Sequence, residues 1–121
     1  MILFRPEHVA PILEGRKVQT RRLGKRRWKV GAVHACYTRP PYAKGGAEPF
    51  CRVRILGVHQ ERLLDIVSAD ARAEGYSSTT RFLTAFCRIN KGLAEDCRQN
   101  CLGCELDNPE VWVVTFAVVT P

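Results

Sequence analysis

Short strand-like stretches alternating with short helical ones inside 121 residues predict an α+β fold. Three observations carry that reading. Cys51, Val53 and Ile55 alternate with Arg52 and Arg54, the period of a half-buried strand. Phe82, Ala85, Phe86 and Ile89 recur at helical spacing behind the hydroxyl run "SSTT", which supplies a cap. "VWVVTFAVV" is almost continuously apolar, as a strand covered on both faces requires. So small a chain suits a compact barrel with short helical insertions, although an open sheet would show the same periodicities.

In chain order, "ILF" is a short strand. "RPEHVAPILEG" follows as a helix, with Pro6 in its first turn, Glu7 at the positive end and Gly15 just past the end. Val9, Ile12 and Leu13 share one face. Pro11 lacks the N–H a helix interior needs, so the helix begins later than Pro6 or is distorted there. "GRKVQTRR" then reads as a charged turn. "KVGAVHACYT" and "FCRVRILGVH" are strands, joined by the loop "RPPYAKGGAE". Between Leu63 and Gly75 a short helix is expected, with Ser68 as its N-cap and Gly75 as its stop. No repeat or low-complexity tract interrupts the chain, which reads as one domain over 1–121.

Hydrophobic residues make up 45% of the chain, enough for one core. No apolar run approaches the ~20 residues of a membrane span. "MILF" gives way at once to Arg5, too short for a signal-peptide core, so a soluble cytoplasmic protein is expected. The net charge of +7 is unevenly placed: eight cations and no acid lie between Arg16 and Lys29, against eleven cations and twelve acids elsewhere. Concentrated charge points to an anionic partner docking at one place, since scattered charge would serve solubility as well. Arg16, Arg21, Arg22, Lys25, Arg26 and Arg27 are the candidates for phosphate contacts, and Tyr42 for stacking on a base. Trp28 and Trp112 are expected to pack. His8, His34 and His59 are scattered, each expected to be a hydrogen-bonded core or surface residue.

Six cysteines fall in two groups. Cys36 and Cys51 lie in different strands and read as small core residues without a disulfide. Cys87, Cys97, Cys101 and Cys104 cluster in "CRINKGLAEDCRQNCLGC", a polar insertion over about 87–108. Four thiolates at this spacing suit a structural zinc ion that staples the insertion, with an iron–sulfur cluster as the alternative.

The blocks "FRPEHVAPILEGRKVQTRR", "WKVG", "RVRILGV", "DIVSADARAEGY" and "VWVVTF", in that order, resemble the ASCH domain family from about Ile2 to Val118, apart from the Cys-rich insertion. The most specific part is G-x-K-x-x-T-x-R, met by Gly15, Lys17, Thr20 and Arg22. The resemblance implies a small PUA-like β-barrel that binds RNA or a modified nucleoside in a cleft lined by this motif. Some members are amidohydrolases that deacetylate N4-acetylcytidine, and others are linked to RNA cleavage. The amidohydrolase set corresponds by position to Lys17, Thr20 and Glu74.

Those residue types suit amide hydrolysis. Thr20 offers a nucleophilic hydroxyl, and Lys17 can take its proton if burial and neighbouring cations depress its pKa. Glu74 can return a proton to the leaving amine, and Arg22 can hold an oxyanion or phosphate with two parallel bonds. In a regular strand Lys17 and Thr20 would face opposite ways, so a turn or bulge must re-aim one of them. A carboxylate at a helix C-terminus is unfavourable, which gives Glu74 a specific reason to be there; the alternative is a solvated residue paired with Arg72 or Arg81. A third reading is a protein-interaction module built on the metal-stapled insertion.

Overall fold

The computed structural model describes residues 1–42, 44–90 and 108–119. Cys97, Cys101 and Cys104 lie outside them, so the predicted insertion is represented only by its flanks. The elements are β1 (Ile2–Leu3), a 3₁₀ turn (Pro6–His8), α1 (Val9–Leu13), β2 (Gln19–Arg22), β3 (Val33–Tyr37), β4 (Cys51–Arg62), a second 3₁₀ turn (Leu63–Asp65), α2 (Ser68–Ala73), α3 (Thr79–Ile89) and β5 (Glu110–Val118). All five strands form one sheet in the order β1-β3-β4-β5-β2, curled into a half-barrel. The pairing is antiparallel except between β1 and β3. The expected α+β barrel with short helical insertions is the fold observed. Among the described residues no helix is long and apolar enough to cross a membrane.

β5 explains the two-sided core. Val111 and Val113 pack with Leu63, Ala71, Phe82, Leu83 and Phe86 beneath α2 and α3. Val114 and Phe116 point the other way, into a cluster with Ile2, Phe4, Ile12, Trp28, Val53 and Ile55. Successive strand residues alternate between faces, and both faces are covered, hence an apolar run broken only by Thr115.

β4 carries the complementary device. Val53 and Ile55 face the second cluster, but the register with β5 shifts between Ile55 and Gly57. The extra residue reverses the parity, so Val58 now joins the same cluster and Leu63 the opposite one. Glu61, opposite Val111, is thereby carried to the α2–α3 side.

One local expectation is met, since the first helix begins later than Pro6, and three others (its apolar face, the Ser68 cap and the buried stripe of α3) are corrected. Pro6–Leu13 is a 3₁₀ turn followed by α1, which starts at Val9; Pro11 is then its third residue, where a backbone N–H would have no helical partner. Only Ile12 of its expected apolar face is buried. Ser68 is the first residue of α2, not its cap, and no side chain caps that helix. α3 is rotated from the expected stripe: Phe82, Leu83, Phe86 and Cys87 are buried and Ile89 is exposed. Its N-cap is the expected kind, with Ser78 accepting from the Arg81 N–H at 3.1 Å.

Candidate functional site

The end of α1 aims Lys17. Gly15 adopts a left-handed conformation (φ 77°), its N–H donating to Ile12 O and that of Arg16 to Pro11 O, a Schellman closure. The Lys17 N–H also reaches Pro11 O, and the Val18 N–H donates to Ala73 O at 2.7 Å, which fixes the turn against the end of α2. Lys17 therefore lies ahead of β2, and this turn resolves the facing problem posed by the spacing to Thr20. Gly75, at φ 96°, lies against the same side chain: a Cβ there would be in ordinary contact, 3.5 Å from the Lys17 Cβ.

The Lys17 Nζ donates to Glu74 O at 2.8 Å, to Glu74 Oε1 at 3.0 Å and to Gln19 O at 3.0 Å, using all its hydrogens. Lys17 and Glu74 are each 2% exposed. Burial pushes the Lys17 ammonium below the usual lysine range, and the Glu74 carboxylate opposes that shift.

Glu74 meets β2 through Arg21. Thr20 is opposite Val114 and Arg21 opposite Val113, so the two side chains leave the strand on opposite sides. Arg21 Nη1 donates to Glu74 Oε2 at 3.0 Å, while its Nη2 meets Glu61, placed there by the β4 register shift, and Asp70 at 3.4 Å. Three carboxylates thus surround one buried guanidinium. The geometry makes Arg21 an anchor for Glu74.

Arg22 is the opposite case. Its Nε donates to Thr20 Oγ1 at 3.0 Å and its Nη2 to Leu3 O at 2.8 Å, spanning the gap between the sheet's two edge strands. The guanidinium lies 5.1 Å from the centroid of the Phe4 ring. Burial pushes its pKa down, yet a guanidinium stays charged at any working pH. Among the described residues no carboxylate forms an ion pair with it.

Lys17, Thr20, Arg21, Arg22 and Glu74 line one cavity of about 310 Å³, at the lower end of the range for small-ligand sites. Phe4, His8, Tyr76, Phe82 and Phe86 supply much of the remaining wall. His8 Nε2 and the Tyr76 hydroxyl are hydrogen-bonded at 2.8 Å. Desolvation, followed by the Lys17 charge, pushes the His8 pKa down to about 4, so the ring is neutral near pH 7. Burial pushes the Tyr76 hydroxyl up to about 12. Sequence reasoning gave neither residue a place in the site; they are 68 positions apart, and no local pattern joins them.

The other predicted residues lie elsewhere. Arg16 pairs with Glu14 at the surface. Lys25, Arg26 and Arg27 are exposed and outside this cavity's wall, with Arg26 donating to Trp28 O at 3.1 Å and lying 5.8 Å from the Trp112 ring. Tyr42 is 81% exposed and also outside it. Cys87 is buried in the last turn of α3. Among the described residues no group of three or more His, Cys, Asp or Glu could hold a metal ion.

No protein-family model matches the sequence, and no curated protein matches it. Solved structures do. An ASCH domain from Lactobacillus crispatus JV V101 is 20% identical, with a TM-score of 0.65 over 91% of this chain and 69% of that one. A DUF984 protein from Enterococcus faecalis V583 is 16% identical, with a TM-score of 0.62 over 93% and 70%. A mutant of the ASCH protein of Zymomonas mobilis is 14% identical, with a TM-score of 0.51 over 99% and 71%. The curled sheet and its short helices define a PUA-like α+β domain. Within that class, the chain has the ASCH-type fold.

Proposed function

We propose that this chain binds RNA or a modified nucleoside in the cavity bounded by Lys17, Thr20, Arg22 and Glu74. Arg22 carries the reading: it is a partly buried cation held by the neutral oxygens of Thr20 and Leu3, with no carboxylate in ion-pair contact among the described residues. The Glu74 carboxylate offsets part of that charge without touching it; a desolvated cation with no carboxylate in direct contact remains costly, and an anionic or oxygen-rich ligand supplies the contact. Aromatic walls suit a flat base, and the exposed Lys25, Arg26 and Arg27 would draw a polyanion toward the site. The PUA-like fold supports the same reading.

The test is a fluorescence-anisotropy titration of a labelled single-stranded RNA across salt concentrations. Log affinity should fall linearly with log salt, by roughly 0.7 per phosphate contacted. Arg22→Met should weaken binding at least about tenfold, the worth of one charge-assisted contact. Unchanged affinity in Arg22→Met, or a titration indifferent to salt, overturns the proposal.

A second reading, amidohydrolysis of N4-acetylcytidine or a related acylated nucleoside, draws support from the Lys17 Nζ–Glu74 Oε1 contact of 3.0 Å beside Thr20. Glu74 would accept a proton from Lys17, and the free amine would take the Thr20 hydroxyl proton as Oγ1 attacks the acyl carbon. Arg22 would face the oxyanion. Cleavage of the C–N bond would pass the Glu74 proton to the departing nitrogen, and water would hydrolyse the threonine ester. Incubation with N4-acetylcytidine should then release cytidine, and Thr20→Val should stop it. Absence of cytidine removes this reading and leaves the first.

For the insertion we propose one structural zinc ion held by Cys87, Cys97, Cys101 and Cys104, with an iron–sulfur cluster as the alternative. Its support is the cysteine spacing and the position of Cys87 at the end of α3. Elemental analysis should give one zinc per chain and a colourless protein; a brown protein identifies a cluster, and metal-free folded protein refutes ligation.

A further inference from the structure

A second hollow, of about 510 Å³, opens beside the first. Leu3, Arg22 and Asn90 belong to both linings, so the two spaces meet across the Arg22 side chain. Arg27, Trp28 and His34 form much of its far wall, and no Asp or Glu lines it among the described residues. Arg27 is close enough to Arg22 for the two charges to oppose each other. Like charges facing a cavity without a carboxylate raise the free energy of the empty state.

His34 adds a second observation. Its Nε2 is buried without a hydrogen-bond partner among the described residues, and burial keeps the ring toward its neutral form. In the tautomer that carries its proton there, this atom is an unsatisfied donor that a ligand oxygen would meet.

We infer that the second hollow is a phosphate subsite in which Arg22 and Arg27 hold the phosphate of a nucleotide whose base enters the first cavity. This rests on the nucleoside reading above and narrows it: the ligand is a phosphorylated nucleoside or an RNA strand, in preference to a free nucleoside. Guanidinium pairs recognise phosphate oxygens with two parallel hydrogen bonds each, a geometry lysine cannot copy. Arg22, already fixed by Thr20 and Leu3, loses little further freedom on contacting the ligand.

The test is calorimetric titration with cytidine, cytidine 5′-monophosphate and a tetracytidylate, on the wild type, Arg27→Ala and Arg52→Ala. Arg52 is exposed on β4 and removes the same charge elsewhere. The monophosphate or the tetranucleotide should bind roughly tenfold tighter than cytidine, one charge-assisted contact's worth. A gain already present with the monophosphate assigns a terminal phosphate; a gain seen only with the tetranucleotide assigns a phosphodiester. Arg27→Ala should collapse that ratio toward one, and Arg52→Ala should leave it intact. If cytidine binds and phosphate adds nothing, or both variants alter the ratio alike, the subsite is refuted and the nucleoside reading stands. If none of the three binds, both fall.

Discussion

Glu74→Gln removes one negative charge from between two buried cations while keeping the shape of the side chain. The carboxylate accepts from Lys17 and from Arg21 at 3.0 Å each, and all three residues are 4% exposed or less. Removing one member of a buried ion pair typically costs about 3–5 kcal/mol, because the survivor stays charged and dry. Arg21 would retain Glu61 and Asp70, whereas Lys17 would retain only neutral oxygens, those of the Gln19 and residue-74 carbonyls and of the new carboxamide. The loss falls mainly on Lys17, so the lower figure applies, about 3 kcal/mol. In urea unfolding followed by tryptophan fluorescence this moves the midpoint down by about 2 M, at a slope of about 1.5 kcal/mol per M. Adding Lys17→Met removes the orphaned charge and should recover much of the loss, since apolar replacements of buried pairs are often neutral. A midpoint for Glu74→Gln within about 0.5 M of wild type, or a double variant no more stable than the single, refutes the reasoning.

Two further outcomes follow from the same site. Gly75→Ala puts a side chain on a residue held at φ 96°, so it should lower stability by about 1–2 kcal/mol in the same assay; a neutral result would show that the turn after α2 does not hold that conformation. His8 titrates at about 4 in the fold against 6.5 ordinarily, so the unfolded chain binds more protons between those values. Stability should therefore be full above pH 6.5 and decline as the pH drops toward 4. The whole displacement corresponds to roughly 3 kcal/mol, and about half is expected because the ring keeps some solvent contact. His8→Asn should flatten that part of the profile; an identical profile in the variant would contradict the assignment.

Legibility in the sequence followed the apolar pattern. β5 and the start of β4 were readable because their side chains meet core on known faces. β2 was not: "QTRR" contains no apolar residue, and its place is set by pairing with β5. The reversal of faces at Gly57 is equally silent, yet it delivers Glu61 to Arg21. In α3, apolar residues flank Phe82 and Phe86 on both sides, so periodicity did not say which flank would be buried. The family resemblance brought Lys17, Thr20 and Glu74 forward as candidates, and the structure gathers them in one cavity. It could not distinguish Arg21, enclosed by carboxylates, from Arg22, which has none in ion-pair contact among the described residues. That difference arises from contacts with α2, β4 and β1.

The most direct measurement is a crystal structure of the protein soaked with cytidine. The base should occupy the cavity beside Phe4, with an oxygen or ring nitrogen within hydrogen-bond reach of Arg22 or Thr20. Cytidine found instead against the exposed Lys25–Arg27 segment, with that cavity unfilled at saturating ligand, would contradict the account.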